Sequence, residues 1–298
     1  MKRLISILAL LVSFSAAQAE VWAFRLPEPA LLPSYAKATY LSRMHERHGG
    51  SHLGMQEYTV NLPFADPRRS HMGHWYYSVQ GSATVSLMDV GGNTLDLKKD
   101  ELMMFSVPLT LIRPIDSRQR FMLSVVPRFA GDAQSAAYAW DLPVVVDYSV
   151  THSPEFSYSL GVAVSPRFSP YGVMPYLSAT WKMSPDWQLR LKDTELALLY
   201  SATDKLLVGP YMGMEGGTWM VNTPIGQRIF RVRSLVAGLH AEYDFAPPGG
   251  SKRVIVANVG ATLATSAQFL QRTANKDAIE SHHYKPGVVV SLGVDFRF

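Results

Sequence analysis

From Trp75 onward, apolar and polar positions alternate with period 2. Trp75, Tyr77, Val79, Gly81, Ala83, Val85 and Leu87 interleave with Tyr76, Ser78, Gln80, Ser82, Thr84 and Ser86. In an extended strand successive side chains point to opposite faces, so this stretch predicts a strand with one greasy and one polar side. The last stretch repeats the pattern: Val288, Val290, Leu292, Val294, Phe296 and Phe298 share one face, with Val289, Ser291, Gly293, Asp295 and Arg297 on the other. Ten further candidates lie between these two: 102–112, 119–129, 138–150, 154–165, 171–182, 186–192, 195–201, 205–220, 234–245 and 252–267. Most approach the roughly 9–11 residues that a tilted transmembrane β-strand needs. The expected fold is all-β, a transmembrane antiparallel up-and-down β-barrel of about 12 strands. Met55–Phe64 alternates weakly and is left outside the barrel, because even strand counts are the rule.

The chain begins with Lys2 and Arg3, an apolar run Leu4–Phe14 and the small-residue site Ala17-Gln18-Ala19, which reads as a cleaved signal peptide over 1–19. This eleven-residue run falls short of the roughly 20 residues needed to cross a bilayer as a helix. Residues 20–72, broken by Pro27, Pro29 and Pro33 and carrying His45, His48 and His52, read as an irregular segment, a periplasmic tail or a plug, ahead of a barrel over 73–298. His45 and His48 have helical metal-ligand spacing, but no cysteine or carboxylate completes a ligand set, so they read as solvated surface and no metal or cofactor is expected.

Composition changes this picture little. The formal charge of +4 falls to +2 without Lys2 and Arg3, leaving 26 basic against 24 acidic residues, too even and too spread for a nucleic-acid binder. The 47% apolar content suits a soluble two-layer domain as well as a barrel, so composition does not decide. With no cysteine there is no disulfide and no lipid-modified N-terminus.

Loops and rings give independent support. If the terminal strand ends in the periplasm, the turns 183–185, 202–204 and 246–251 fall on that side and the long polar connection 268–284 falls outside. The two-residue link Asp193-Thr194 fits an external loop poorly. Outward rings recur at the periplasmic ends: Tyr148, Phe156, Trp181, Trp187, Tyr200, Tyr243, Phe245, Phe296 and Phe298. Aromatic rings concentrate at membrane–water boundaries.

The ending Val290, Leu292, Val294, Phe296, Phe298 resembles the terminal strand of bacterial outer-membrane β-barrels, where it is read by the barrel-insertion machinery. A second resemblance lies in the middle. Val173-Met174-Pro175-Tyr176-Leu177, Trp181–Leu191 around Ser184-Pro185-Asp186-Trp187, Leu198–Leu206 around Tyr200 and Asp204-Lys205-Leu206, and Gly213–Gly217 are similar to an uncharacterised bacterial family of outer-membrane β-barrel proteins. The likeness covers about residues 95–298, departs at Lys192-Asp193-Thr194, and carries no catalytic or ligand-binding residues. It implies residence in the outer membrane, with membrane lipid and lipopolysaccharide as surroundings.

Candidate chemistry is sparse. The sequence holds no Gly-x-Ser-x-Gly elbow, His-Glu-x-x-His, phosphate loop or dinucleotide fingerprint. Ser234, His240, Glu242 and Asp244 share one strand face, but that face is inward, whereas lipid hydrolysis needs its nucleophile at the lipid-facing surface. An outer-membrane hydrolase is therefore the lesser reading, and catalysis is not expected. The inward charges are Arg128, Asp147, Lys182, Arg190, Glu242, Asp295 and Arg297, which either pair across a filled interior or line a narrow path for small solutes. Near balance of acids and bases favours a closed or narrow lumen. Arg231 and Arg233, above the membrane on the outer side, are candidates for contact with lipopolysaccharide phosphates. Structural barrel, small-solute channel and soluble periplasmic β-sandwich remain the competing functions.

Overall fold

A strand greasy on one side only must still pair both its edges, and a sheet closed on itself leaves no edge open. The computed structural model describes residues 34–69, 75–92, 97–135, 139–165, 173–192, 194–247, 252–271 and 278–297, and these form one such closed sheet. It starts with β1 (Ser34–His45), β2 (His52–Arg69) and β3 (Tyr76–Gly91). Three two-part staves follow: β4 (Glu101–Ser106) with β5 (Leu109–Pro114), β6 (Gln119–Val125) with β7 (Arg128–Gly131), and β8 (Trp140–Asp141) with β9 (Val144–Ser153). Then come β10 (Phe156–Val164), β11 (Val173–Lys182), β12 (Trp187–Lys192), β13 (Glu195–Thr203), β14 (Leu206–Thr223), β15 (Gly226–Asp244) and β16 (Lys252–Leu270). The last stave is β17 (Ala278–Tyr284) with β18 (Val288–Arg297). β18 pairs with β1 from Ser34↔Phe296 to Leu41↔Val289 and closes the ring. We call the end bearing Ser34 and Phe296 the lower end.

Eighteen segments make fourteen staves, because four staves are split in two. Each split falls at a proline: Pro108, Pro127, Pro143 and Pro286. Proline offers no N–H to the ladder, so pairing stops there. The first three sit on neighbouring staves and are linked in a row. Gln80 N donates to Pro108 O, Val107 N to Pro127 O and Val126 N to Pro143 O, at 3.1, 3.0 and 2.9 Å. A single crease therefore runs across this wall, dividing β4, β7 and β8 above it from β5, β6 and β9 below.

The strand count of about 12 is exceeded by two staves, β1 and β2, both from the stretch expected to be irregular. Over its described part, residues 34–69, that expectation is corrected. The reason is local: two of β1's outward positions are Ala36 and Ala38, while Tyr35 and Leu41 face inward, so the alternation is nearly invisible in the residues. Adding the two together keeps the count even. The proposed signal peptide lies outside the described residues.

The sidedness is as expected. On the outside, Leu62, Leu87, Leu109, Leu160, Leu239, Val259, Leu263, Val290 and Leu292 are exposed large apolar residues, forming a band around the sheet. Soluble monomers rarely expose contiguous apolar patches beyond a few hundred Å². The lower margin of the band carries Tyr148, Trp181, Trp187, Tyr200, Tyr243 and Phe245, all exposed, with Trp187 and Tyr200 in contact at 5.1 Å. Inside, buried hydroxyls replace hydrocarbon: Thr59 bonds Thr84 at 3.0 Å, Thr110 bonds Ser124 at 2.6 Å and Ser159 bonds Ser178 at 2.6 Å.

Candidate functional site

The site is the upper half of the lumen, and β14 builds it. From Leu206 to Gly213 this strand is an ordinary stave between β13 and β15, but β13 begins at Glu195, opposite Gly213. Beyond that point β14 keeps only β15 as a strand neighbour on that stretch, except where Met220 pairs in parallel with Gly131 of β7. Gly216 marks the departure. Its φ of +125° and the Val232 O lying 2.2 Å from where a Cβ would stand both exclude a side chain. The hairpin then runs to a tight turn between Thr223 and Gly226.

Above Gly216 both faces of the hairpin are buried. Gly216–Val221 and Ile229–Val232 are all buried, and Trp219 is 1% exposed. Their neighbours explain this. Trp219, Met220, Val221, Ile229, Phe230 and Val232 share one apolar cluster with the inward-facing Leu41, Leu53, Met55, Met88 and Leu102 of β1 to β4. The same cluster includes the inward-facing Val145, Ala163, Met174 and Ala197 of β9, β10, β11 and β13. The hairpin's β14 edge meets β7 at Gly131 while its β15 edge stays paired with β16 from Ile229↔Leu270 to Val232↔Ala267, so the hairpin spans the upper interior between those two strands. Trp219 stacks on Phe230 at 6.3 Å, and Phe230 meets Phe269 at 5.2 Å.

Polar contacts fix the tip to the creased wall. Asp132 N donates to Met220 O (3.1 Å), Asn222 N to Asp132 Oδ2 (2.7 Å) and Lys98 N to Asn222 O (3.3 Å). At Gly131 a Cβ would lie 2.6 Å from Met220 O, so only glycine lets the two backbones meet. Lower down, Lys37 Nζ of β1 reaches Glu215 Oε1 of β14 at 3.1 Å, bridging the interior over the intervening β18, β16 and β15.

The expected inward charges are dispersed. Arg128 is buried at the upper end against Asp141 (3.1 Å), which also accepts a hydrogen bond from Ser165. Asp147 accepts one from Ser149 at 2.8 Å. Arg190 donates to Glu242 at 2.6 Å, and His240 Nε2 lies 3.1 Å from both. Lys182 is exposed near the lower end and Asp295 is half-buried on the inward face of β18. Arg297 ends β18, its side chain outside the described ones, and Phe298 lies outside the described residues. Below the hairpin, the lower mouth contains a recess of about 470 Å³ lined by Tyr76, Arg120, Ser149, Ser157, Ser178 and Thr180, among others.

One reading of the sequence is corrected. Residues 221–233 are not an outer loop but the tip of the β14–β15 hairpin, so Arg231, expected on the surface, is 3% exposed and Arg233 is half-buried. The inward face of β15 keeps Ser234, His240 and Glu242 buried, as the alternation implies, and they remain apart from Asp244 as separate contacts: Ser234 Oγ accepts from Thr265, and Asp244 Oδ1 accepts from Ala246 N. The hairpin itself had a signal, the unbroken apolar runs Trp219-Met220-Val221 and Ile229-Phe230. A strand buried on both faces loses its alternation.

Above the apolar band, the buried His282 of β17 ties the last stave to the β1–β2 turn. Its Nδ1 is 2.8 Å from Glu46 Oε1 and its Nε2 is 2.8 Å from Glu280 Oε1. Two carboxylates require both ring nitrogens to donate, which only the imidazolium can do. Burial opposes the charge, but the hydrogen bonds to Glu46 and Glu280 outweigh it and raise the His282 pKa. Glu46 is held below the usual range, first by the Ser51 hydroxyl and then by His282. A raised folded pKa gives stability that is complete below the unfolded value near 6.5 and is lost as pH rises through the folded one. The melting temperature of the refolded protein should therefore exceed that of His282→Gln most at about pH 6, with the gap narrowing on alkalinisation. A gap independent of pH would show that the ring is not charged.

A closed antiparallel sheet, greasy outside and hydroxyl-lined inside, defines a transmembrane β-barrel. The chain belongs to the family described as Domain of unknown function (DUF6268), whose model matches residues 34–297, from the start of β1 to the end of β18. No curated protein matches it in sequence. Among solved structures it is similar to the COG4313 outer membrane channel from Pseudomonas putida F1, at 10% identity over 92% of this chain and 97% of that one, with a TM-score of 0.45. It is also similar to the KdgM porin (7% identity, 89% and 99% covered, TM-score 0.35). A further match is the translocator domain of the autotransporter NalP from Neisseria meningitidis (11% identity, 100% and 98% covered, TM-score 0.35).

Proposed function

We propose that this protein is a non-catalytic outer-membrane channel for small solutes, closed at rest by its own β14–β15 hairpin and conducting when the hairpin leaves the upper lumen. The lower end, where the terminal strand finishes, faces the periplasm and the upper end faces outward. The observation that carries this reading is the hairpin's span between β7 and β16, its apolar residues in one cluster with inward residues of β1 to β4 and of β9, β10, β11 and β13, above a lumen lined with hydroxyls and charges. Barrels of fourteen staves lie between those filled by side chains and the 16- to 18-stranded porins with open aqueous channels, so an added element is needed to shut one.

Magnitude supports rare opening. Exposing Trp219, Met220 and Phe230 together costs on the order of 5–9 kcal/mol, at about 1.5–3 kcal/mol for each large side chain. Thermal opening is then rarer than about one part in a thousand, so conduction needs a driving force such as voltage or a bound solute.

The chain has no cysteine, which makes a disulfide test unambiguous. Lys98 N bonds Asn222 O, so the two residues are backbone neighbours within reach of a bridge. In planar bilayers the Lys98→Cys/Asn222→Cys protein is expected to show brief voltage-driven steps when reduced and none when oxidised. Steps of equal size and frequency in both states would remove the hairpin from the mechanism. Complete silence in both would favour a structural barrel with a permanently filled lumen.

A further inference from the structure

The outer rim above β17, β1 and β2 carries a basic sector that the channel reading leaves unused. His45, Arg47, His283 and Lys285 are all exposed there. Backbone bonds hold them in one patch: Lys285 N donates to His45 O at 2.9 Å and Arg47 N to His283 O at 2.8 Å. The Arg47 side chain is itself placed, its Nε donating to Tyr284 O at 3.2 Å. One step towards the membrane, Arg43 grips Asp89 through two bonds of 2.8 and 2.9 Å, and His52 approaches the same carboxylate at 3.3 Å.

The charge balance follows from these partners. Arg43 and Asp89 cancel. Glu46 and Glu280 are engaged with His282, and no ion pair among the described residues engages Arg47 or Lys285. One imidazolium faces two carboxylates there, so the sector as a whole carries a net charge of about +1, with Arg47 and Lys285 as its outward cations and the imidazoles of His45 and His283 beside them. Immediately below lie the exposed Tyr40, Val288 and Val290 of the apolar band.

We propose that this sector binds the phosphates of lipid A, the phosphorylated glycolipid anchor of lipopolysaccharide, whose acyl chains lie along Tyr40, Val288 and Val290. This rests on the outer-membrane placement and orientation proposed above. A cationic rim contiguous with a hydrocarbon-facing band matches a molecule that is anionic at its head and apolar in its tails. A free phosphate would gain nothing from the band, so lipid A is the occupant chosen. Arg47 can present a planar pair of donors to one phosphate, and Lys285 supplies a point charge beside it. The buried Arg231 takes no part.

The test uses the full mature chain in detergent micelles, titrated with diphosphoryl lipid A and followed by native mass spectrometry. The Arg47→Ser/Lys285→Ser variant is expected to bind about tenfold more weakly, the loss of charge-assisted contacts, and the wild type should prefer diphosphoryl over dephosphorylated lipid A by a similar factor. Equal affinity of variant and wild type, or no preference for the phosphorylated lipid, overturns the proposal. So does displacement of lipid A by inorganic phosphate at equal concentration, which would make the sector a general anion site. Heat-modifiable migration and protease accessibility in vesicles report insertion and orientation separately. If those fail, the outer-membrane reading falls and this inference with it; if they succeed while lipid binding is unchanged, this inference alone is wrong.

Discussion

Removal of residues 217–232, with Gly216 joined to Arg233 by a two-residue glycine turn, is expected to convert a barrel that is silent at low voltage into one that conducts continuously. Gly216 and Arg233 are cross-strand partners, so the shortened hairpin closes without strain on the staves below. The deletion withdraws Trp219, Met220, Val221, Ile229 and Phe230 from the lumen and leaves the lower barrel's pairing in place. One complication is physical. The walls then present Leu41, Leu53, Met55, Met88 and Leu102 on one side and Val145, Ala163, Met174 and Ala197 on the other, and a narrow hydrophobic passage can block ions by dewetting. A second version that also carries Met55→Ser and Met88→Ser removes that barrier. If both versions insert and neither conducts, the lumen is obstructed by something other than the hairpin, and the gate must be sought elsewhere.

The second large effect concerns the outside. Leu292 stands mid-way along β18 and is 57% exposed. Leu292→Arg should lower the unfolding free energy by about 2–4 kcal/mol in lipid vesicles, the cost of a cation near the bilayer midplane. In a soluble protein the same exchange at so exposed a position would be worth within about half a kcal/mol. Chemical denaturation of vesicle-bound protein reads the difference, and a change under about half a kcal/mol would mean that this face meets water. The same conclusion would follow if the mature wild-type chain stayed monodisperse without detergent.

Most of the wall was legible in the residues. The segments Trp75–Leu87 and Val288–Phe296 alternate because each turns one side to hydrocarbon-type surroundings and the other to the interior of the barrel. The breaks within 102–112, 119–129 and 138–150 were also written there, as Pro108, Pro127 and Pro143, although the alternation on either side reads straight through them. β1 was not legible, since Ala36 and Ala38 provide too little hydrophobic contrast. The upper site was only half visible. Consecutive apolar residues at Trp219-Met220-Val221 signal burial on both faces, but nothing local says against what.

Sequence alone determined the sidedness of this barrel, its strand direction and the places where its ladder must break, because each depends on the residue itself: period-2 exposure, an aromatic at a boundary, a missing N–H. Only the tertiary structure decided what fills it. That the hairpin reaches Gly131, that Lys37 meets Glu215 and that Arg231 is enclosed depend on which staves become neighbours once the ring closes, and such pairings between residues far apart along the chain leave no periodic trace in it.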